Sequence, residues 1–214
     1  MRGRKSEIEV LTLDPRLLLL LISCLYILVF GGLGLARREG LSMQFALEAL
    51  VLTILFVGGS WLFNIPLSPF LFLALLYLVT MRSRLMVDVA NFLVKRRQRD
   101  LAFKLYRLSL AWWPDMPSRL IVLTNMGAAE LYGGQLDVAI QTLEGVLAME
   151  TRSRLGLKYE AACHYNLGYA YEKKGEDAKA VSQYNEAIDA LPGSLYAKAA
   201  QAALKRRKKT ESES

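Results

Sequence analysis

The sequence predicts an all-α protein, with apolar helices in its N-terminal third and a stack of helical hairpins behind them. Three observations carry this. Leu17–Ala36 is a run without charge, bounded by Arg16 and by Arg37-Arg38. Met43–Met81 is apolar, with Glu48 as its one charge. From residue 83 onward, small, aromatic and turn-forming residues recur at helical spacing. The expected organisation is a tail over 1–16, a transmembrane region over 17–82, a repeat domain over 83–207 that ends in a capping helix, and a disordered tail over 208–214.

The first apolar run is 20 residues long. At about 1.5 Å per residue it matches a hydrocarbon core of about 30 Å. Met43–Met81 is too long for one span, and Asn64, Pro66 and Pro69 break it, since proline disfavours continued helix. The expected spans are therefore 17–36, 43–63 and 66–82, with two spans and a re-entrant segment as the alternative. Cationic residues near span ends mark the cytoplasmic side. Arg82, Arg84, Lys95, Arg96 and Arg97 follow the last apolar residue, and the Asn64–Pro69 turn has none. This predicts cytoplasmic repeats in a bacterial inner (plasma) membrane. With three spans the N-terminal tail lies outside, although it carries Arg2, Arg4, Lys5 and Arg16. A cleaved leader fits poorly, because the apolar run is long for a signal core. Glu48 could serve an ion or proton path or simply reach the headgroups.

The most regular hairpin runs from His164 to Pro192. It reads His164-x-x-Leu167-Gly168-x-x-Tyr171, then Gly175, Ala180-x-x-x-Tyr184, Ala187 and Pro192. Leu167 and Tyr171 share a helical face. Gly168 admits a close partner helix, Gly175 ends the first helix, and Pro192 stops the second. In this register the segment resembles the tetratricopeptide repeat, which places a large residue, Leu-Gly, Tyr, Ala, an aromatic and Pro within about 34 residues. His164 stands where Trp is usual. A weaker copy has Met126-Gly127, Gly134, Ala139, Leu143 and Val146, with Glu130 in place of the Tyr and Thr151 in place of the Pro. The extra residues before the next repeat are expected to extend a helix through Thr151–Glu160. An earlier copy has Ala90 at the Gly position, then Ala102, Tyr106, Ser109, Leu110 and Pro114. Three hairpins and a cap over Leu195–Arg207 are about the minimum for a continuous core in an α-solenoid.

The resemblance implies protein or peptide binding in the groove lined by the first helix of each hairpin. Its register places Asn91, Lys95, Asn125, Ala128, Tyr132, Tyr165, Asn166, Tyr169 and Lys173 there. Tyr and Asn suit peptide contact; ordinary consensus positions are the plainer reading. A carboxylate clamp for a partner's C-terminus is not expected. Asn91 and Asn125 match two of its places, but Val87 stands where a Lys is needed, and Ala162 and Asn166 replace the other cations.

Catalytic residues, cofactors and metals are not expected. His164 is the one His, and it falls on a packing position. Cys163-His164 has no second Cys-His pair to complete a metal site. Gly31-Gly32-x-Gly34 and Gly58-Gly59 lie in apolar spans, where small residues pack helices. Two Cys in 214 residues make no disulfide framework. The net charge of +7 includes Lys205-Arg206-Arg207-Lys208-Lys209. This cluster reads as anionic-lipid contact or as a solvated helix end; nucleic acid is not expected. Of Trp112-Trp113, one is expected in the core and one at the bilayer interface. The function so implied is a membrane-anchored scaffold or adaptor at the cytoplasmic face. The alternative is a small subunit or assembly factor of a membrane complex or transporter, with the repeats as docking arm. An integral-membrane enzyme is not expected, since polar residues do not cluster in the spans.

Overall fold

The computed structural model of the chain describes residues 14–36, 42–65, 68–150 and 156–213. Among these it has ten helices: α1 (Pro15–Ala36), α2 (Met43–Phe63), α3 (Pro69–Thr80), α4 (Arg82–Lys95), α5 (Arg99–Ala111), α6 (Met116–Tyr132), α7 (Leu136–Glu150), α8 (Leu157–Lys174), α9 (Asp177–Ala190) and α10 (Leu195–Glu213).

Helices α1 to α3 pack as an apolar bundle. Leu19, Tyr26, Ala49, Phe72 and Leu76 form its core. Many other large side chains face outward: Leu25, Leu28, Ile54, Leu55, Trp61 and Phe70 are all more than half exposed. A surface this apolar is matched to lipid rather than water. Hydroxyls join the helices inside the bundle. Ser23 Oγ lies 2.6 Å from Thr53 Oγ1, and Tyr26 Oη lies 2.7 Å from Thr80 Oγ1. Thr53 and Thr80 also donate to carbonyls one turn back, at Ala49 and Leu76, so no hydroxyl proton is wasted. The Ser42 side chain caps the start of α2, and Asn64 in the left-handed region ends it.

Helices α1 and α2 are long and apolar enough to cross a bilayer. The third apolar segment departs from expectation. Helix α3 has 12 residues and ends at Thr80, so it covers only about 18 Å at 1.5 Å per residue. The chain then bends by 71° into α4. The bend falls where composition changes from apolar residues to Arg82-Ser83-Arg84.

The hairpins are α4–α5, α6–α7 and α8–α9, with α10 closing the stack. The same contact recurs in two of them. A Cβ on Gly168 would lie 2.6 Å from Tyr184 Cδ1, and one on Gly127 would lie 2.8 Å from Leu143 Cγ. These distances are below contact, so glycine is what lets the two helices of each hairpin close. In the first hairpin Ala90 and Tyr106 hold the equivalent register, both with no exposed surface. One core joins the second and third hairpins and α10 through Leu120, Leu143, Val146, Leu167, Tyr184 and Ala200. A second, around Val87, Ala102, Tyr106 and Ile121, joins the first hairpin to α6.

Three further expectations change, and Glu130, for which none was made, finds a partner. A single helix through Thr151–Glu160 is not formed as drawn from the sequence: Gly156, at φ 88°, precedes α8, and residues 151–155 lie outside the described segments. Glu130, standing at a tyrosine position, is buried at 3% exposure and accepts a hydrogen bond from Thr142 Oγ1 at 2.8 Å. Both Trp112 and Trp113 are exposed, at 50% and 85%, so neither is core. Helix α10 continues past residue 207 to Glu213, because Lys and Arg are good helix formers. Residues 1–13 of the N-terminal tail, Arg37-Arg38 and Pro66 lie outside the described residues.

Candidate interaction groove

The first helices of the three hairpins, α4, α6 and α8, carry the sequence-predicted groove residues. A cavity of ≈ 510 Å³ opens along their N-terminal halves. It reaches Asn91 on α4, Asn125 on α6, Lys158 and Tyr159 on α8, and Tyr196 on α10. Its other wall is formed by Phe30, Leu33, Phe45 and Tyr77, at the ends of the apolar helices. Such a size is ordinary for a ligand site, and pockets commonly form between domains.

Of the predicted residues, only Asn91 and Asn125 line this cavity. They are bonded to each other, with Asn91 Nδ2 donating to Asn125 Oδ1 at 3.0 Å. Tyr106 Oη donates to Asn91 Oδ1 at 2.6 Å, and Asn125 Nδ2 donates to the Ile121 carbonyl at 2.7 Å. Each amide therefore keeps one N–H beyond this chain of bonds. Burial pushes the Tyr106 phenol up to about 12, so it stays a donor across physiological pH.

The other predicted residues continue along the same helices, about one to four turns further on. Lys95, Tyr132 and Lys173 are exposed, and Tyr165 and Tyr169 half-buried. Tyr165 sits between Tyr184 and Tyr196, with ring centroids 5.9 and 6.0 Å away. Burial raises the pKa of Tyr165 and of Tyr196. Lys173 Nζ stands 5.3 Å over the Tyr169 ring. Asn166 is 4% exposed, which makes it a packing residue rather than a surface contact.

Sequence reasoning missed Arg84, Asp88, Lys158, Tyr159 and Tyr196 as cavity residues. On α4 the signal was present: Arg84, Asp88, Asn91 and Lys95 fall on one helical face at spacings of three and four. Extending the groove register two turns toward the helix N-termini reaches all but Tyr196, which belongs to the capping helix.

At the junction between apolar helices and hairpins, Arg82 and Glu48 form an ion pair. Arg82 Nη1 lies 2.5 Å from Glu48 Oε2, and Nη2 lies 2.9 Å from Oε1. Arg82 also donates to the carbonyls of Val79, Trp112 and Trp113, and Gln44 Nε2 donates to Glu48 and to the Trp113 carbonyl. The start of α2, the end of α3 and the C-terminal end of α5 are thus tied at one point. A guanidinium there also complements the negative end of the α5 dipole.

The remaining polar candidates have local partners. His164 Nδ1 lies 2.8 Å from Gln183 Oε1, which joins α8 to α9. Cys163 Sγ lies 3.3 Å from Thr124 Oγ1. Arg207, from the basic cluster, pairs with Asp177 at 2.6 Å and holds α10 against α9. Among the described residues no three His, Cys, Asp or Glu side chains converge as metal ligands.

Comparison with known proteins agrees with the register of the hairpins. A tetratricopeptide-repeat family model matches residues 119–192, the second and third hairpins. No curated protein and no solved structure matches the chain. The match, the all-helical fold and the glycine-to-ring contact between paired helices agree: residues 119–192 are similar to the tetratricopeptide repeat.

Proposed function

We propose that the chain is a membrane-anchored scaffold that binds a protein or peptide segment in its repeat groove, at the cytoplasmic face of a bacterial inner (plasma) membrane, without catalysis of its own. Tetratricopeptide repeats serve as protein-interaction modules, and two helices here are long and apolar enough to anchor the chain. The observation that carries the reading is the open space along α4, α6 and α8, rimmed by Tyr, Asn and Lys side chains. Rigid aromatic area and adaptable amides are what peptide recognition uses. The cationic run from Arg82 to Arg97 supports a cytoplasmic position for the repeats.

The alternative of a transporter subunit drew on Glu48 as an intramembrane acid. Its ion pair with Arg82 gives Glu48 a structural use at the junction. The test is crosslinked recovery of partners from native membranes by the wild type and by a Tyr132→Ala/Tyr169→Ala/Lys173→Ala variant. Asn166 is left intact because it is buried. Partners lost in the variant support the groove; partners retained at wild-type levels move the function to the spans or the C-terminal cluster.

A further inference from the structure

The cavity along the groove is walled on one side by repeat residues and on the other by the ends of α1, α2 and α3. The repeat wall carries polar Asp88, Asn91, Asn125 and Lys158 beside apolar Val87 and Ile121; the opposite wall is mostly apolar, with Phe30, Leu33, Phe45 and Tyr77 beside Ser42 and Thr80. A uniformly polar peptide would set polar groups against that apolar wall and leave them unpaired. A ligand that matches both walls is apolar at one end and polar at the other, and it arrives along the bilayer surface.

Two kinds of molecule have that character: a lipid and a chain segment leaving the membrane. The charges separate them. Arg84 and Lys158 line the cavity, but so do Asp88 and Asp115. Two carboxylates beside a lipid phosphate repel it, whereas a peptide backbone presents dipoles that both signs and the spare amide N–H groups accommodate.

We propose that the groove's occupant is the juxtamembrane segment of another integral membrane protein, entered from the bilayer side. Its apolar end lies against Phe30, Leu33, Phe45 and Tyr77, and its polar continuation runs along Asn91 and Asn125 toward Tyr132 and Lys173. This rests on the groove reading above and narrows it to a membrane-embedded partner.

The test uses the full chain in native membranes. A benzophenone-bearing phenylalanine is placed at Tyr196, in the cavity, and in a separate protein at Val138, an exposed α7 position. After irradiation, membranes are stripped at alkaline pH and the crosslinked peptides are identified by mass. The expected product is specific to Tyr196, survives stripping, and maps next to an apolar span of a different protein. A stripped, soluble partner at Tyr196 overturns this inference while leaving the groove reading intact. A lipid adduct alone, a crosslink within the chain, or one to a second copy overturns it as well. Lack of any adduct specific to Tyr196 overturns it too, and the groove reading is then judged by the Tyr132/Tyr169/Lys173 variant.

Discussion

Arg82 grips Glu48 with both terminal nitrogens, and the two residues belong to different halves of the molecule. Glu48 is on the second apolar helix, and Arg82 opens the first hairpin. Their side chains are 24% and 19% exposed, so the pair is neither fully buried nor freely solvated. A pair in that setting costs desolvation energy to form, yet leaves an uncompensated charge when one member is removed. It holds the repeats in one orientation against the spans.

Breaking this tie has a distinctive signature. Arg82→Ala and Glu48→Gln each lower the midpoint of thermal unfolding in detergent. The double variant loses less than the two singles together, by about 0.5–3 kcal/mol of coupling. Additive losses in the cycle contradict a direct interaction.

The glycines of the hairpins are ranked by what they face. Gly168→Ala drives a methyl into the ring of Tyr184, which has no exposed surface and nowhere to turn. Overpacking costs about 1–3 kcal/mol, against a gain of about 1 kcal/mol in helix propensity. Gly127→Ala meets the branched end of Leu143, a more adaptable neighbour. Denaturant unfolding is expected to show Gly168→Ala as clearly destabilising and Gly127→Ala as milder. The reverse order contradicts the packing described.

Much of this was legible in the residues themselves. Glycine or alanine on one helix, and a large residue sixteen positions later on the next, marks all three hairpins: Ala90 with Tyr106, Gly127 with Leu143, Gly168 with Tyr184. The apolar runs marked α1 and α2 as helices of membrane-crossing length, because length and lack of charge are read directly from the residues. The bend at Met81, the partner of Glu48 and the shared cavity were not legible, since each depends on how two segments meet in space. The tryptophans show the limit well. Their composition suggested one core ring, but their backbone carbonyls, rather than their rings, join the junction.

Glu130 supplies a pH dependence. Burial raises its pKa; the Thr142 hydrogen bond and the Arg107 charge act the other way without cancelling it. A carboxyl with a raised folded-state pKa stabilises the fold most when protonated. Its contribution is full below the ordinary carboxylate value and is lost as pH rises through the raised one. Glu130→Gln keeps an acceptor for Thr142 and has no proton to lose. The variant is therefore expected to gain stability relative to wild type between pH 4 and 7, read as the difference in Tm. A constant difference over that range contradicts it.

Tyr106 anchors the amide chain on the groove floor. Tyr106→Phe leaves Asn91 Oδ1 without its donor and costs about 1–3 kcal/mol. Its cost is expected to fall when Asn91 is also changed to Leu, since the orphaned acceptor is then gone. Chemical denaturation of the single and double variants reads this directly.

The central claim is that the repeats hold a partner through the groove along α4, α6 and α8. The most direct measurement is quantitative crosslinked recovery from native membranes by the wild type, by Tyr132→Ala/Tyr169→Ala/Lys173→Ala, and by a Val138→Ala/Val181→Ala control on α7 and α9. Loss of the same partner from the groove variant alone, with helicity unchanged, is the expected result. Equal recovery by all three proteins contradicts the claim.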